Sequence, residues 1–261
     1  MGPAGFLSAS IQALHQLKDK RLVFFVSLID LSFVVLLGII LIPLRDAIGL
    51  NLVYLSDEFV SSTSELAATL SETVFSSPYF QKILLLFFLL IFLSYLAYGL
   101  FQGIAWRLCL GTKMKTSAFL KRFFAANLLW FALLFFVIPL NFILTYIDTI
   151  GKKTDPEGIF YLGMVSNIFF LLIIYFAFFG YPFLSSHTGF ASVRKGISFG
   201  IRRWNIALPA FALIILSLAI IHFILVALQS LSFYAMVIGG MLLVFPCFLW
   251  SRILIKKLVA V

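Results

Sequence analysis

One acidic residue, Asp30, lies within a long apolar stretch of this 261-residue chain, where a carboxyl group could carry chemistry. A charged carboxylate in hydrocarbon costs a few kcal/mol, so it is expected to be protonated, ion-paired or in contact with water. Counted from Leu22 at 1.5 Å per residue, it lies about 12 Å into the stretch. Other apolar stretches carry Tyr98 and Tyr175 at comparable depth, and Asn127 at a shallower one. These four side chains are the candidate intramembrane polar site.

Two interpretations of that site are open. The first is a proton- or cation-linked site, of the kind that a solute transporter uses. The second is a neutral acid that hydrogen-bonds between helices. No second acid or base is expected at the depth of Asp30, and this favours the second interpretation.

A second polar group is formed by Asn141, Asn167 and His222, which lie toward the outer ends of three further stretches. A metal site needs three or four ligands of suitable type, which this set does not provide. We therefore predict hydrogen bonds between helices here, and no metal.

Motifs that mark known catalytic sites are missing from the sequence. It contains no HExxH, Walker or GxSxG pattern and no paired intramembrane acids. Cys109 and Cys247 both fall near the cytoplasmic side, so they are expected to stay reduced. We predict no catalytic residues, no cofactor and no enzymatic activity.

The composition places these residues in a membrane protein. Hydrophobic residues make up 63% of the chain, charged residues only 11%, and the mean hydropathy is +1.14. A soluble protein needs more polar surface, and roughly 20 apolar residues cross the hydrocarbon of a bilayer. Six stretches reach about this length, near residues 22–42, 83–106, 123–147, 159–184, 206–228 and 233–251. They predict one all-α domain of six transmembrane helices over residues 1–261, with an outer segment at 43–82.

The outer segment carries two capping-box patterns, Ser62 with Glu65 and Thr69 with Glu72, and an apolar stripe over residues 59–74. We expect one or two helices that lie over the outer ends of the spans. They serve either as a packed connector or as a lid or partner surface.

Positive charge separates by side along the six-span path. Fifteen of the nineteen lysines and arginines fall on one side, Arg252 after the last span among them, and eight of the ten acids fall on the other. Lys and Arg concentrate on the cytoplasmic side of membrane proteins. We therefore predict a multi-pass protein of the cell membrane with both termini cytoplasmic.

The basic stretch 188–204 has apolar residues in steps of three and four, at Phe190, Val193, Ile197, Ile201 and Trp204. This spacing forms one helical face, and such a helix lies in the headgroup layer with its apolar face toward lipid. Nucleic acid is set aside as a partner, because membrane orientation already accounts for the net charge of +9. The predicted contacts with anionic headgroups are Arg194, Lys195, Arg202, Arg203, Trp204, Lys121 and Arg122.

Comparable stretches, residues 5–21 and 113–122, precede the other two pairs of spans. The pattern predicts three units, each with an amphipathic interfacial helix on the cytoplasmic side followed by a transmembrane hairpin.

Two segments carry a family resemblance: residues 95–106, which run into a basic link, and residues 192–203. Their layout resembles poorly characterised prokaryotic, often archaeal, multi-span membrane families, including the membrane domain attached to some glycerophosphodiester phosphodiesterases. The resemblance implies interfacial helices followed by hairpins. No catalytic phosphodiesterase domain is present, so that activity does not carry over.

Two functions follow as predictions. The first is a non-catalytic membrane protein that binds membrane lipid, a protein partner or a second copy of itself. The alternative is a small-solute transporter or channel subunit that uses Asp30. The scarcity of polar side chains within the spans favours the first.

Overall fold

The computed structural model describes residues 3–61, 76–154 and 162–260, and over these ranges it contains helices and no strand. The helices are α1 (Pro3–Gln16), α2 (Lys20–Ser61), α3 (Pro78–Leu110), α4 (Thr116–Thr154), α5 (Leu162–Gly180), α6 (Gly189–Arg202), α7 (Trp204–Leu231) and α8 (Phe233–Val259). A short 3₁₀ helix, Tyr181–Ser185, joins α5 to α6.

Six of these helices, α2, α3, α4, α5, α7 and α8, are long and apolar enough to cross a membrane. Large apolar side chains cover their outer surfaces, as Phe136 and Phe223 illustrate with 70% and 72% exposure. Such surfaces are stable only against lipid or another apolar partner. The predicted all-α polytopic membrane fold is therefore confirmed.

The spanning helices pair as antiparallel hairpins. Asn141 of α4 hydrogen-bonds to Asn167 of α5, and the Gly239 backbone of α8 approaches Leu228 of α7. α8 begins at a cap in which the Ser232 hydroxyl accepts a hydrogen bond from the Ala235 amide. The turn at Ser232 is short, so α7 and α8 have to run side by side in opposite directions.

The first spanning helix, α2, is longer than the sequence indicated. The predicted span ended at Ile42, whereas α2 continues through Pro43 to Ser61. Proline removes one helical hydrogen bond, and membrane helices tolerate this loss where the freed carbonyl finds another partner. The predicted capping boxes lie outside the described residues, as does the greater part of the apolar stripe.

The three predicted interfacial helices are not alike. Helices α1 and α6 are separate and precede α2 and α7. Residues 113–122 do not form a separate helix, because α4 begins at Thr116 and continues without a break. No residue between Thr116 and Phe123 interrupts helix formation, so Lys121 and Arg122 belong to the first turns of a spanning helix.

The chain divides into two compact units, which we describe separately. One comprises Ser32–Tyr98. Within it, Phe33 packs edge-on against Tyr98 with ring centroids 5.9 Å apart, and Tyr54 lies 5.4 Å from Tyr79. These pairs place residues 32–61 of α2 and 78–98 of α3 in antiparallel contact.

The other unit comprises Met1–Leu31 and Gly99–Val261. Its core lies around the last two turns of α8, where Ile253, Leu254 and Ile255 are completely buried. Helix α1 packs on α8 through the small buried residues Ala9 and Ala13. This unit contains the two sites described next.

Candidate functional site

A buried polar cluster joins three helices of the larger unit. Arg252 of α8 donates from Nη1 to Asp30 Oδ2 and from Nη2 to Asp30 Oδ1, both at 2.7 Å. Gln102 of α3 completes it: its Oε1 accepts from Arg252 Nη2 at 2.5 Å, and its Nε2 donates to Asp30 Oδ1 at 3.0 Å. Asp30 is 1% exposed and Arg252 4%. Each polar group in the cluster therefore has a partner inside the protein.

The sequence reasoning missed both partners of Asp30. It placed Arg252 on the cytoplasmic side after the last span, and the expectation that no base lies near Asp30 is wrong. The predicted last span ends at Ser251, whereas α8 continues to Val259. A helix extended past Arg252 would have placed a cation within a span and signalled an intramembrane ion pair.

The other members of the candidate intramembrane site make different contacts. Tyr175 donates to the Gly200 carbonyl at 2.9 Å. Asn127 donates to the Phe123 carbonyl of its own helix and accepts from the Tyr181 hydroxyl at 2.7 Å. Tyr98 belongs to the smaller unit. The hydrogen bonds of Asp30 thus run to Gln102 and Arg252 and to neither Tyr175 nor Asn127.

The cluster can hold helices in register. A bidentate guanidinium–carboxylate pair has one favoured geometry, so it fixes the relative positions of α2 and α8. Gln102 extends that constraint to α3. Both oxygens of Asp30 accept hydrogen bonds from Arg252, so a solute cation would have to compete with the guanidinium for this carboxylate.

Asn141 and Asn167 form a hydrogen bond between helices, as predicted, whereas His222 is exposed and lies against Phe223 of its own helix. Asn141 donates to Ser166 at 2.5 Å and to Asn167 at 3.3 Å. Nearby, Asp148 accepts hydrogen bonds from the first amides of α5, Leu162 at 3.0 Å and Gly163 at 2.8 Å. No group of three His, Cys, Asp or Glu side chains in the described parts of the chain could hold a metal ion.

Helix α6 docks on the bundle through a face of small residues. A Cβ atom on Gly196 would lie 2.5 Å from Gly180 Cα, and one on Gly189 would lie 2.6 Å from the Arg122 carbonyl oxygen. Ser192 and Val193 are buried on the same face. Close backbone approach of this kind requires residues without large side chains.

The rest of the α6 surface divides into an apolar stripe and a basic stripe. Phe190 and Ile201 are both 60% exposed, and Trp204, the first residue of α7, is 64% exposed. Val193, predicted on this face, faces the protein instead, since it packs beside the glycines. The cations Arg194, Lys195, Arg202 and Arg203 are all exposed.

The two predicted headgroup cations of α4 differ from each other. Lys121 is exposed. Arg122 is half-buried, and its Nη1 donates to the Leu184 carbonyl at 3.2 Å and to the His187 carbonyl at 3.1 Å. Arg122 therefore anchors the link between the 3₁₀ helix and α6, and its charge is partly used within the protein.

No protein-family model, curated protein or solved structure shows significant similarity to this chain. The resemblance to the membrane domain of glycerophosphodiester phosphodiesterases stays a prediction.

Proposed function

We propose that this protein is a non-catalytic integral membrane protein that binds anionic lipid through α6, on the cytoplasmic side of the cell membrane. The observation that carries the proposal is the division of α6 into three faces. Small residues dock it on the bundle, Phe190 and Ile201 offer an apolar stripe, and the exposed cations Arg194, Lys195 and Arg202 lie beside that stripe. Exposed Arg203 and Trp204 follow directly at the junction with α7. An amphipathic helix of this composition binds the interface by apolar burial together with attraction to anionic headgroups.

The binding free energy available from these cations favours a lipid-binding role for α6, beyond the role of positive charge in setting the membrane orientation of the chain. A lysine or arginine near an anionic membrane surface contributes about 1 kcal/mol. Three such residues on one rigidly docked helix, with Arg203 directly after it, add these contributions without the entropy cost of ordering a mobile segment. The close backbone contact between Gly196 and Gly180 is the source of that rigidity.

The transporter alternative depends on Asp30, and the local geometry supports a packing role for that residue. Its carboxylate is 1% exposed and both oxygens are bonded to Arg252. A coupling carboxylate has to exchange protons or cations with water during its cycle. We therefore keep lipid binding as the proposal.

Lipid analysis of the protein purified in mild detergent tests this proposal. We expect anionic phospholipids to be enriched over zwitterionic ones, relative to the membrane of origin. Arg194→Gln/Lys195→Gln should reduce the affinity for anionic lipid about tenfold or more, given about 1 kcal/mol per cation.

The matched control removes the same charge from the predicted outer side, in Arg45→Gln/Lys82→Gln. It should leave the lipid profile unchanged. An unchanged profile in the α6 variant, or a protein partner that copurifies in its place, would contradict the lipid proposal.

A further inference from the structure

A hollow of about 360 Å³ lies beside α6, between the 3₁₀ helix and the last turn of α8. Its polar wall is made by Lys195, Ser198, Arg202 and Arg203, and Phe183 and Phe199 contribute apolar surface. All of these residues belong to the larger compact unit.

Helical spacing explains why the polar residues meet there. Lys195, Ser198 and Arg202 are three and four residues apart, so they share one side of α6. Arg203 is held over the Phe199 ring, with its Cζ atom 5.8 Å from the ring centroid. This contact places the guanidinium beside the hollow, and stacking on a ring face leaves the N–H groups in its plane able to donate to a ligand.

Lys195, Arg202 and Arg203 form no ion pair with any described residue. The ion pairs of the described residues join Arg45 to Asp46 and Arg252 to Asp30, and both lie outside the hollow. Three cations around one small volume repel one another, and a bound anion relieves that repulsion.

The chemistry and size of the hollow indicate the ligand class. Guanidinium groups match the oxygens of phosphate, and lysine and hydroxyl donors add further hydrogen bonds. The volume falls within the roughly 300–1,000 Å³ of small-molecule sites, which leaves room for a group esterified to the phosphate.

We propose that this hollow is a binding site for an organic phosphate, with Lys195, Arg202, Arg203 and Ser198 holding the phosphate group. The site deepens the proposed lipid-binding function and rests on it where the ligand is a phospholipid. The same phosphate chemistry is available from a lipid headgroup or from a soluble phosphate ester. Exposed Trp204 follows Arg203 directly, and tryptophan is enriched at the level of lipid headgroups.

Two matched ligands separate these sources: phosphatidic acid, and glycerol 3-phosphate, which carries the same phosphate without acyl chains. Native mass spectrometry of the full chain in detergent counts bound phosphatidic acid against phosphatidylcholine. Titration calorimetry on the same preparation measures glycerol 3-phosphate. We expect one phosphatidic acid to bind in preference to phosphatidylcholine. Binding of glycerol 3-phosphate with equal affinity would assign a soluble ligand to the same site.

Three variants test the position of the site. Lys195→Gln/Arg202→Gln should weaken binding of the preferred ligand about tenfold or more, because it removes two charge-assisted contacts. Lys113→Gln/Lys115→Gln removes the same charge from two exposed positions outside the hollow and outside α6. It should change the affinity less than about twofold, because exposed charges in water interact weakly. Ser198→Phe keeps every cation but fills the hollow, so it should also abolish tight binding.

The outcomes distinguish the site from the general lipid-binding proposal. Equal weakening by the two charge-removing pairs, with no effect of Ser198→Phe, would overturn the site and leave diffuse lipid attraction intact. Binding of neither phosphatidic acid nor glycerol 3-phosphate by the wild-type chain would also overturn it. Glycerol 3-phosphate binding without any preference for anionic lipid would support the site and reject the lipid function. Size-exclusion profiles and melting temperatures identify any variant that fails to fold. Arg202→Lys then replaces that variant. It should bind the ligand more weakly, because lysine lacks the planar guanidinium that forms paired hydrogen bonds with phosphate.

Discussion

Asp30 and Arg252 stand 222 residues apart in the chain and form a bidentate ion pair with both nitrogen–oxygen distances at 2.7 Å. The pair lies inside the larger unit, and Gln102 bonds to both partners. It links the helix near the start of the chain to the last helix. We infer that its main effect is to specify how these helices align.

Removing one partner of this pair should lower the free energy of unfolding far more than replacing the whole cluster by apolar residues. We expect Arg252→Met to lower the free energy of unfolding by about 3–5 kcal/mol, because it leaves a buried carboxylate without its cation. Asp30→Leu/Gln102→Leu/Arg252→Met should cost much less, since no polar group then stays buried without a partner. Unfolding by denaturing detergent in mixed micelles measures both. Equal losses in the two variants would show that apolar packing, and not charge, determines the effect.

The exposed pair of Arg45 and Asp46 is the control for that experiment. Its side chains are 75% and 60% exposed. Arg45→Met should change the free energy of unfolding by about 0–1 kcal/mol, as exposed ion pairs usually do.

Water should not reach the cluster in the resting protein. After replacement of Cys109 and Cys247 by alanine, Gln102→Cys should not react with a membrane-impermeant thiol reagent, because Gln102 is 7% exposed. In permeabilised membranes, where the reagent reaches both faces, Lys113→Cys should react rapidly, because it lies at an exposed position in the link after α3. Comparable labelling of the two cysteines would reveal an aqueous path and revive the transporter alternative.

The docking of α6 should depend on a single missing methyl group. A Cβ on Gly196 would meet the Gly180 backbone at 2.5 Å, and a backbone cannot turn aside as a side chain can. We expect Gly196→Ala to lower the free energy of unfolding by about 1–3 kcal/mol, the usual range for overpacking. It should also weaken anionic lipid binding if α6 is displaced.

Gly38 is the matched control in a spanning helix. Nothing lies within 4 Å of the position that its Cβ would occupy. Gly38→Ala should leave stability unchanged or raise it by up to about 1 kcal/mol, through helix propensity. Thermal unfolding of the two variants in the same detergent measures the difference, and similar melting temperatures would argue against tight packing at Gly196.

Reporter fusions test the predicted orientation. Green fluorescent protein fused after Val261, or after the truncated chain at Thr116, should fluoresce, because both positions are predicted to be cytoplasmic. Alkaline phosphatase fused after Ser232, in the turn between α7 and α8, should be active because that turn is predicted to face outward. Opposite sides for Val261 and Thr116 would contradict the six-span topology.

The sequence determined the class of this fold because the relevant signal is local. A run of about 20 apolar residues has few stable arrangements other than a membrane helix, whatever surrounds it. Six such runs occur in the sequence, and the described part of the chain contains six helices long and apolar enough to span a membrane. The hydrogen bond of Asn141 to Asn167 could also be predicted from the sequence, since both residues lie near the same end of adjacent spans.

Tertiary structure alone decided which polar residues meet. Asp30, Gln102 and Arg252 lie on three helices distant in sequence, and helix rotation decides which side chains face one another. Rotation depends on packing of the kind seen at Gly196, where a missing side chain lets α6 approach Gly180. Local apolar periodicity does not report such contacts. For the same reason it put Val193 on the lipid-facing side of α6, although the protein buries it.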